Sequence, residues 1–108
     1  MRAKVCGLNS VNQMMQLDEI GVDFAGFIFY PKSPRYVLNT VSKVELKKAK
    51  GANINKVGVF VNENPDQLLS LVDDCGLYLA QLHGDETPRY CEKIADYISV
   101  IKAFRLRD

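Results

Sequence analysis

The sequence predicts an α/β fold of parallel strands joined by helices, and three observations carry it. Strand-like and helix-like stretches alternate without a break, in the order β-α-β-α-β-α-β-α-β. Strands start near residues 3, 24, 56, 77 and 98, giving spacings of roughly 21 residues and one of roughly 32, each the length of a βα unit. The stretch Phe24-Ala25-Gly26-Phe27-Ile28-Phe29 is apolar on both faces, as a parallel strand covered by helices must be. With 108 residues, the chain reads as one (β/α)4-β5 segment over 1–108, long enough to bury a core.

Lys4-Val5-Cys6-Gly7-Leu8 reads as a short buried strand ending in a thiol. Cys6 shares its parity with Lys4 and faces one side of the strand, while Val5 faces the other. Ser10 and Gln13 form a capping box for the first helix. Val11, Met14, Leu17 and Ile20 recur at helical spacing, and Gly21 stops the run. The second strand is followed by Tyr30-Pro31-Lys32-Ser33-Pro34-Arg35-Tyr36, whose two prolines forbid a helix. A helix from about Thr40 to Lys50 shows a thin stripe of Val41, Val44 and Ala49, and its lysine-rich end suits a helix C-terminus.

Lys56 to Val61 is the third strand. Asn64-Pro65-Asp66 then starts a helix with an Asn cap, proline at the first position and an acid in the first turn. Leu68, Leu71, Val72 and Cys75 face inward, and Gly76 ends the helix. Leu77 to Leu82 is the fourth strand, Thr87-Pro88 opens a helix through about Tyr97, and Ile98 to Phe104 is the fifth strand. Cys91 and Ile94 lie on the buried side of that last helix, so both Cys75 and Cys91 read as core packing.

Composition excludes several function classes. A net charge of +1 leaves no footprint for nucleic acid or an anionic membrane. No run approaches the ~18 apolar residues that span a bilayer, and Met1-Arg2-Ala3 leads into a strand, not a signal peptide. Three cysteines without ligand spacing and a single histidine argue against a metal site and for a reducing, cytoplasmic setting.

In a fold of parallel βα units, every strand C-terminus lies on one rim, where such proteins place their chemistry. That rim collects Cys6, the loop with Arg35, Asn62, the segment Gln81-Leu82-His83-Gly84-Asp85-Glu86, and Arg105. Gln81 and His83 share a parity and face the same interior. Arginine offers a planar fork to a carboxylate, and His and Gln hydrogen-bond sugar or amine groups. Taken singly, Cys6 is a small core residue, Arg35 a solvated loop charge and His83 a satisfied strand-end residue. Their convergence around a thiol favours a small anionic substrate.

The set of stretches Lys4 to Leu8, Gly26 to Tyr36, Val57 to Asn62, Gln81 to Glu86 and Val100 to Ala103 resembles phosphoribosylanthranilate isomerase, from end to end and in family order. The resemblance implies a TIM-type (β/α)8 barrel, truncated here after about β5 to a half-barrel. It implies an Amadori rearrangement in tryptophan biosynthesis, acting on a phosphosugar-anthranilate substrate without cofactor. In that reaction an acid opens the ribose ring to a Schiff base, and a base removes the proton from the sugar's second carbon. By resemblance Cys6 is the general base, Arg35 holds the anthranilate carboxylate and His83 lines the pocket; Gln81 is added on parity. A free thiol titrates near ~8.5, so cations or helix N-termini must help a thiolate form.

The family's general acid, an Asp ending the sixth strand, and its phosphate loops after strands seven and eight have no counterpart here. Asp108 comes too early to match and reads as a surface or terminal residue. A whole barrel takes roughly 200–250 residues. Losing a general acid costs on the order of 10²–10⁴ in rate, so the chain alone is expected to be inactive. Strands one and five would expose open edges. Pairing of two copies, closure as a flavodoxin-like sheet, or a complementing C-terminal half would relieve them. The alternative from another class is a non-catalytic half-barrel that self-associates. A barrel acting on an aminoimidazole ribotide is a third reading, against which Cys6 and the Gln81-to-Glu86 stretch speak.

Overall fold

Two periodicities in the chain, apolar on both faces for strands and 3.6 for helices, are realised as alternating layers. The structure, a computed structural model, describes residues 2–102. The strands are β1 (Lys4–Val5), β2 (Phe24–Ile28), β3 (Asn55–Phe60), β4 (Leu79–Leu82) and β5 (Ser99–Lys102). The helices between them are α1 (Val11–Glu19), α2 (Lys43–Lys48), α3 (Pro65–Cys75) and α4 (Pro88–Ala95). The expected extension of β5 to Phe104, and the placement of Arg105 and Asp108, lie outside the described residues.

All strand pairs are parallel and the spatial order is β1-β2-β3-β4-β5. A flavodoxin-like sheet reverses its winding and breaks sequence order, so that way of closing is excluded for the described strands. Successive strands added on the same side wind toward a barrel. The register Gly26↔Val57, Val57↔Leu79 and Leu79↔Ser99 puts Lys4, Gly26, Ile28, Val57, Val59, Gln81 and Ile101 on one face. Ala25, Phe27, Phe60, Ala80 and Leu82 face the other way, into a core closed by Met14, Leu46, Leu68, Leu71, Cys75 and Ile94. Phe29 and Phe60 stack there with centroids 5.3 Å apart. Burying such a ring contributes ~1.5–3 kcal/mol.

Caps define the helix starts. Ser10 Oγ accepts the Gln13 N–H at 3.1 Å, but the Gln13 side chain accepts from the Asn9 N–H, so only half of the expected capping box forms. Asn64 caps α3 by accepting the N–H groups of Asp66 and Gln67, and Gly76 closes it in the left-handed region at φ 66°. Three expectations are corrected. The first strand is not buried: Lys4 and Val5 are both exposed because β1 is an edge of the described sheet. The second helix starts at Lys43 and not near Thr40, because a 3₁₀ turn, Val37–Asn39, comes first and a full Ser42–Glu45 capping box sets the start. Val44 (61% exposed) and Ile20 (76% exposed) face water; Leu46 fills the place assigned to Val44, and Ile20 lies past the end of α1.

Candidate active site

The concave face of the sheet opens at the strand C-termini into a cavity of about 270 Å³ lined by Cys6, Ile28, Tyr30, Ser33, Val59, Val61, Gln81 and His83. Strand parity is what delivers the polar members. Gln81 and His83 alternate with buried Leu82, and Cys6 follows Lys4 on the same side. Across the concave face, the Lys4 ammonium donates to the Gln81 side-chain oxygen, so β1 and β4 meet over the intervening strands.

Two glycines make room for the thiol and its neighbour. A Cβ on Gly26 would stand 2.8 Å from Cys6 Sγ, closer than any side chain tolerates. Gly7 has φ +79°, and a Cβ there would stand 2.7 Å from Arg35 Nη1. The backbone after Cys6 thus turns through a conformation that suits glycine, and Arg35 lies directly on it. Cys6, Gln81 and His83 are therefore brought together around one cavity. Arg35 is outside its lining and packs against Gly7, the residue after Cys6.

The rim above the cavity is tied by a buried carboxylate that the sequence placed on the rim without a role. Glu86, with its side chain 1% exposed, accepts the N–H of Asn62 at 2.9 Å and that of Gly84 at 2.9 Å, and pairs with Lys102 Nζ at 2.9 Å. Burial pushes its carboxyl up, but the Lys102 and Asn62 hydrogen bonds outweigh that and hold it below the ordinary 4.5. Lys102 also donates to the Gly84 carbonyl. Asn62, at φ 50°, accepts the Asp85 N–H through its side chain. Tyr90 of α4 donates to the Glu63 carbonyl, and burial pushes its phenol up to about 12. Among these residues only Asn62 and the Gln81-to-Glu86 stretch had drawn attention, as rim residues. An acid two residues after a glycine turn was the available signal for Glu86.

A larger hollow of about 890 Å³ lies at the opposite end of the sheet, against Lys47, Lys50, Lys56, Tyr78 and Tyr97. No residue singled out for chemistry reaches it. Its one buried cation, Lys56, donates to the Leu46 carbonyl, and burial lowers its pKa. Size therefore does not decide between the two; the convergence of thiol, imidazole and amide favours the smaller one. Among the described residues no cluster of His, Cys, Asp and Glu could hold a metal ion, and no helix is long and apolar enough to cross a membrane.

Comparison with known proteins gives one consistent match. The family model for N-(5'phosphoribosyl)anthranilate (PRA) isomerase matches residues 3–108. The N-(5'-phosphoribosyl)anthranilate isomerase of Trichodesmium erythraeum is 40% identical over 111 aligned residues, covering 99% of this chain and 48% of the relative. A crystal structure of mutually generated monomers of the dimeric enzyme from Thermotoga maritima superposes with a TM-score of 0.87 at 36% identity, covering all of this chain and 55% of that one. A crystal structure of phosphoribosyl anthranilate isomerase in complex with reduced 1-(o-carboxyphenylamino)-1-deoxyribulose 5-phosphate gives a TM-score of 0.84 at 38% identity, covering 94% of this chain and 52% of that one. The chain spans about half the length of the curated relatives it matches.

Proposed function

The chain belongs to the N-(5'-phosphoribosyl)anthranilate isomerase family, and on that premise we propose that it carries the general base and the anthranilate side of that enzyme's active site. The observation behind this reading is the single cavity shared by Cys6, Gln81 and His83 at the C-terminal rim of parallel strands. In the proposed reaction the Cys6 thiolate removes the proton from the second carbon of the ring-opened Schiff base. The electron pair moves into an enolamine, which tautomerises to the ketone as a proton returns to carbon. Two cations stand on the segments next to Cys6: Lys4, two residues back on the same face and donating to Gln81, and Arg35, packed on Gly7. Arg35 lies where a side-chain swing would bring its fork to a carboxylate held at the cavity mouth, and Gln81 and His83 offer hydrogen bonds to the sugar.

The proton that opens the ribose ring and the grip on the phosphate must come from outside these five strands. On this reading the 108-residue chain, taken as a single (β/α)4-β5 unit, does not turn over alone and needs a complementing C-terminal half. We place the reaction in the cytoplasm, on the three unbridged cysteines. The test is co-expression with a matching C-terminal half in a tryptophan auxotroph. Growth that is lost in Cys6→Ala supports the reading; no growth with both halves soluble overturns it.

A second reading rests on the exposed edge residues Val5 of β1 and Ile101 of β5. A second copy of the chain pairing along these edges would cover them without any catalysis. Gel filtration of the chain separates the two: a stable homodimer that ignores the complementing half favours self-association.

A further inference from the structure

The carboxylate of Glu86 has no place in the reaction outlined above, yet its side chain is only 1% exposed, the most fully buried charged side chain of the rim among the described residues. It faces three backbone or side-chain donors from three different segments: Asn62 after β3, Gly84 after β4 and Lys102 on β5. Those segments carry the cavity wall, since Val61 precedes Asn62 and His83 precedes Gly84. His83 itself is pinned on one side by its own N–H, which donates to the Phe60 carbonyl at 2.9 Å. On the other side the pin is the next N–H along the chain, that of Gly84, which Glu86 accepts at 2.9 Å. These two bonds hold the backbone of His83, and with it the direction in which its Cα–Cβ bond leaves the strand toward the cavity.

Resting on the isomerase reading, we propose that Glu86 is a positioning residue for His83, holding the β3 and β4 rim turns in the geometry that aims the imidazole at the substrate. The alternative for such a carboxylate is simple fastening of three loops. The two differ in what they predict for His83. Fastening lowers stability and leaves the folded site as it was. Positioning changes the site in molecules that are still folded.

The experiment compares Glu86→Gln, which keeps the shape and removes the charge, with Asp18→Asn, a destabilised control at the other end of the sheet. On the 108-residue chain, NMR reads the imidazole resonances of His83, their pH titration and the exchange rate of the Gly84 amide. On the chain paired with the complementing half, turnover is measured well below the melting temperature. For Glu86→Gln the His83 resonances shift, the Gly84 amide exchanges faster, and kcat falls by up to about 10²-fold with a smaller change in KM, the scale of a ~1 Å misplacement. For Asp18→Asn none of these moves. If Glu86→Gln does not fold, Glu86→Asp takes its place, retaining the charge but too short to reach both amides. Should the Glu86 variants lose stability while His83 and kcat stay as in Asp18→Asn, the proposal is overturned. If the wild-type pair has no turnover, the isomerase reading fails, and the His83 signals of the chain alone still decide the role of Glu86.

Discussion

Two carboxylates grip backbone amides at opposite ends of the sheet, and they are built differently. At the base, Asp18 near the end of α1 accepts the N–H groups of Ala52, Asn53 and Ile54, at 2.7, 3.0 and 2.9 Å, just before β3. Solvent reaches it, and it has no cationic partner among its described contacts. At the rim, Glu86 is sealed from water and needs the ammonium of Lys102, itself only 12% exposed, to be tolerable there. A buried ion pair is a poor device for stability, because desolvation offsets most of its attraction. The base clamp fastens a loop cheaply. The rim clamp spends a buried charge to define a shape, which makes sense where a shape is used.

The comparison breaks most visibly at Glu86. Glu86→Ala leaves the Asn62 and Gly84 N–H groups without their acceptor and weakens the neutralisation of Lys102. Breaking a buried pair from one side costs about 3–5 kcal/mol. Urea unfolding checks it: the midpoint falls with an unchanged slope. A loss within ~0.5 kcal/mol, the size of an ordinary surface change, would mean that the rim clamp is no tighter than a solvated contact.

Acid sharpens the same contrast. Both carboxyls titrate below their ordinary values: Asp18 through the N–H groups of Asn53, Ala52 and Ile54, and Glu86 because its hydrogen bonds outweigh its burial. A group depressed in the folded state stabilises the fold above its ordinary pKa, and that contribution is lost as pH falls through the folded value. Stability should therefore begin to fall below about 4.5 for the Glu86 share and below about 3.8 for the Asp18 share. Glu86→Gln removes the upper part of the profile and Asp18→Asn the lower part. At neutral pH Asp18→Asn destabilises less than Glu86→Ala. Profiles of both variants that keep the wild-type acid limb would sink the assignment.

The contrast also separates what was legible in the sequence from what was not. Strand identity and facing were legible, because alternation is a local property: Gln81 and His83 reach the cavity of Cys6 through parity alone. Caps were legible where one residue type suffices, as at Asn64 and Gly76. Exposure at the edges was not, since Val5 is an apolar residue whose burial depends on a neighbouring strand. The helical stripe misplaced Val44 because Val41, from which it was counted, lies outside α2, ahead of the Ser42 cap. The burial and partners of Glu86, named only as part of the rim stretch, were hidden for a different reason. Its partners Asn62 and Lys102 lie 24 and 16 residues away, and no local pattern shows that an acid beside a turn will be buried. Arg35 was legible as a rim residue, but its resting place on Gly7 follows from a positive φ that only the folded backbone displays.

The smallest effect tests whether the rim responds as separate parts or as one body. Ser42 caps α2 from the rim side, because each helix of a parallel βα unit starts where the preceding strand ends. Its Oγ accepts the Glu45 N–H at 3.1 Å, and Glu45 Oε1 accepts the Ser42 N–H at 3.2 Å. Ser42→Ala removes half of this box and costs about 1 kcal/mol, as cap losses do. The helix is only six residues long, so the loss frays it locally. None of the residues that line the cavity touches this cap among the described hydrogen bonds. The His83 resonances should accordingly stay in place while the urea midpoint falls slightly. A shift of His83 in Ser42→Ala would show that loosening any rim element moves the imidazole, and Glu86 would then hold nothing that a helix cap does not.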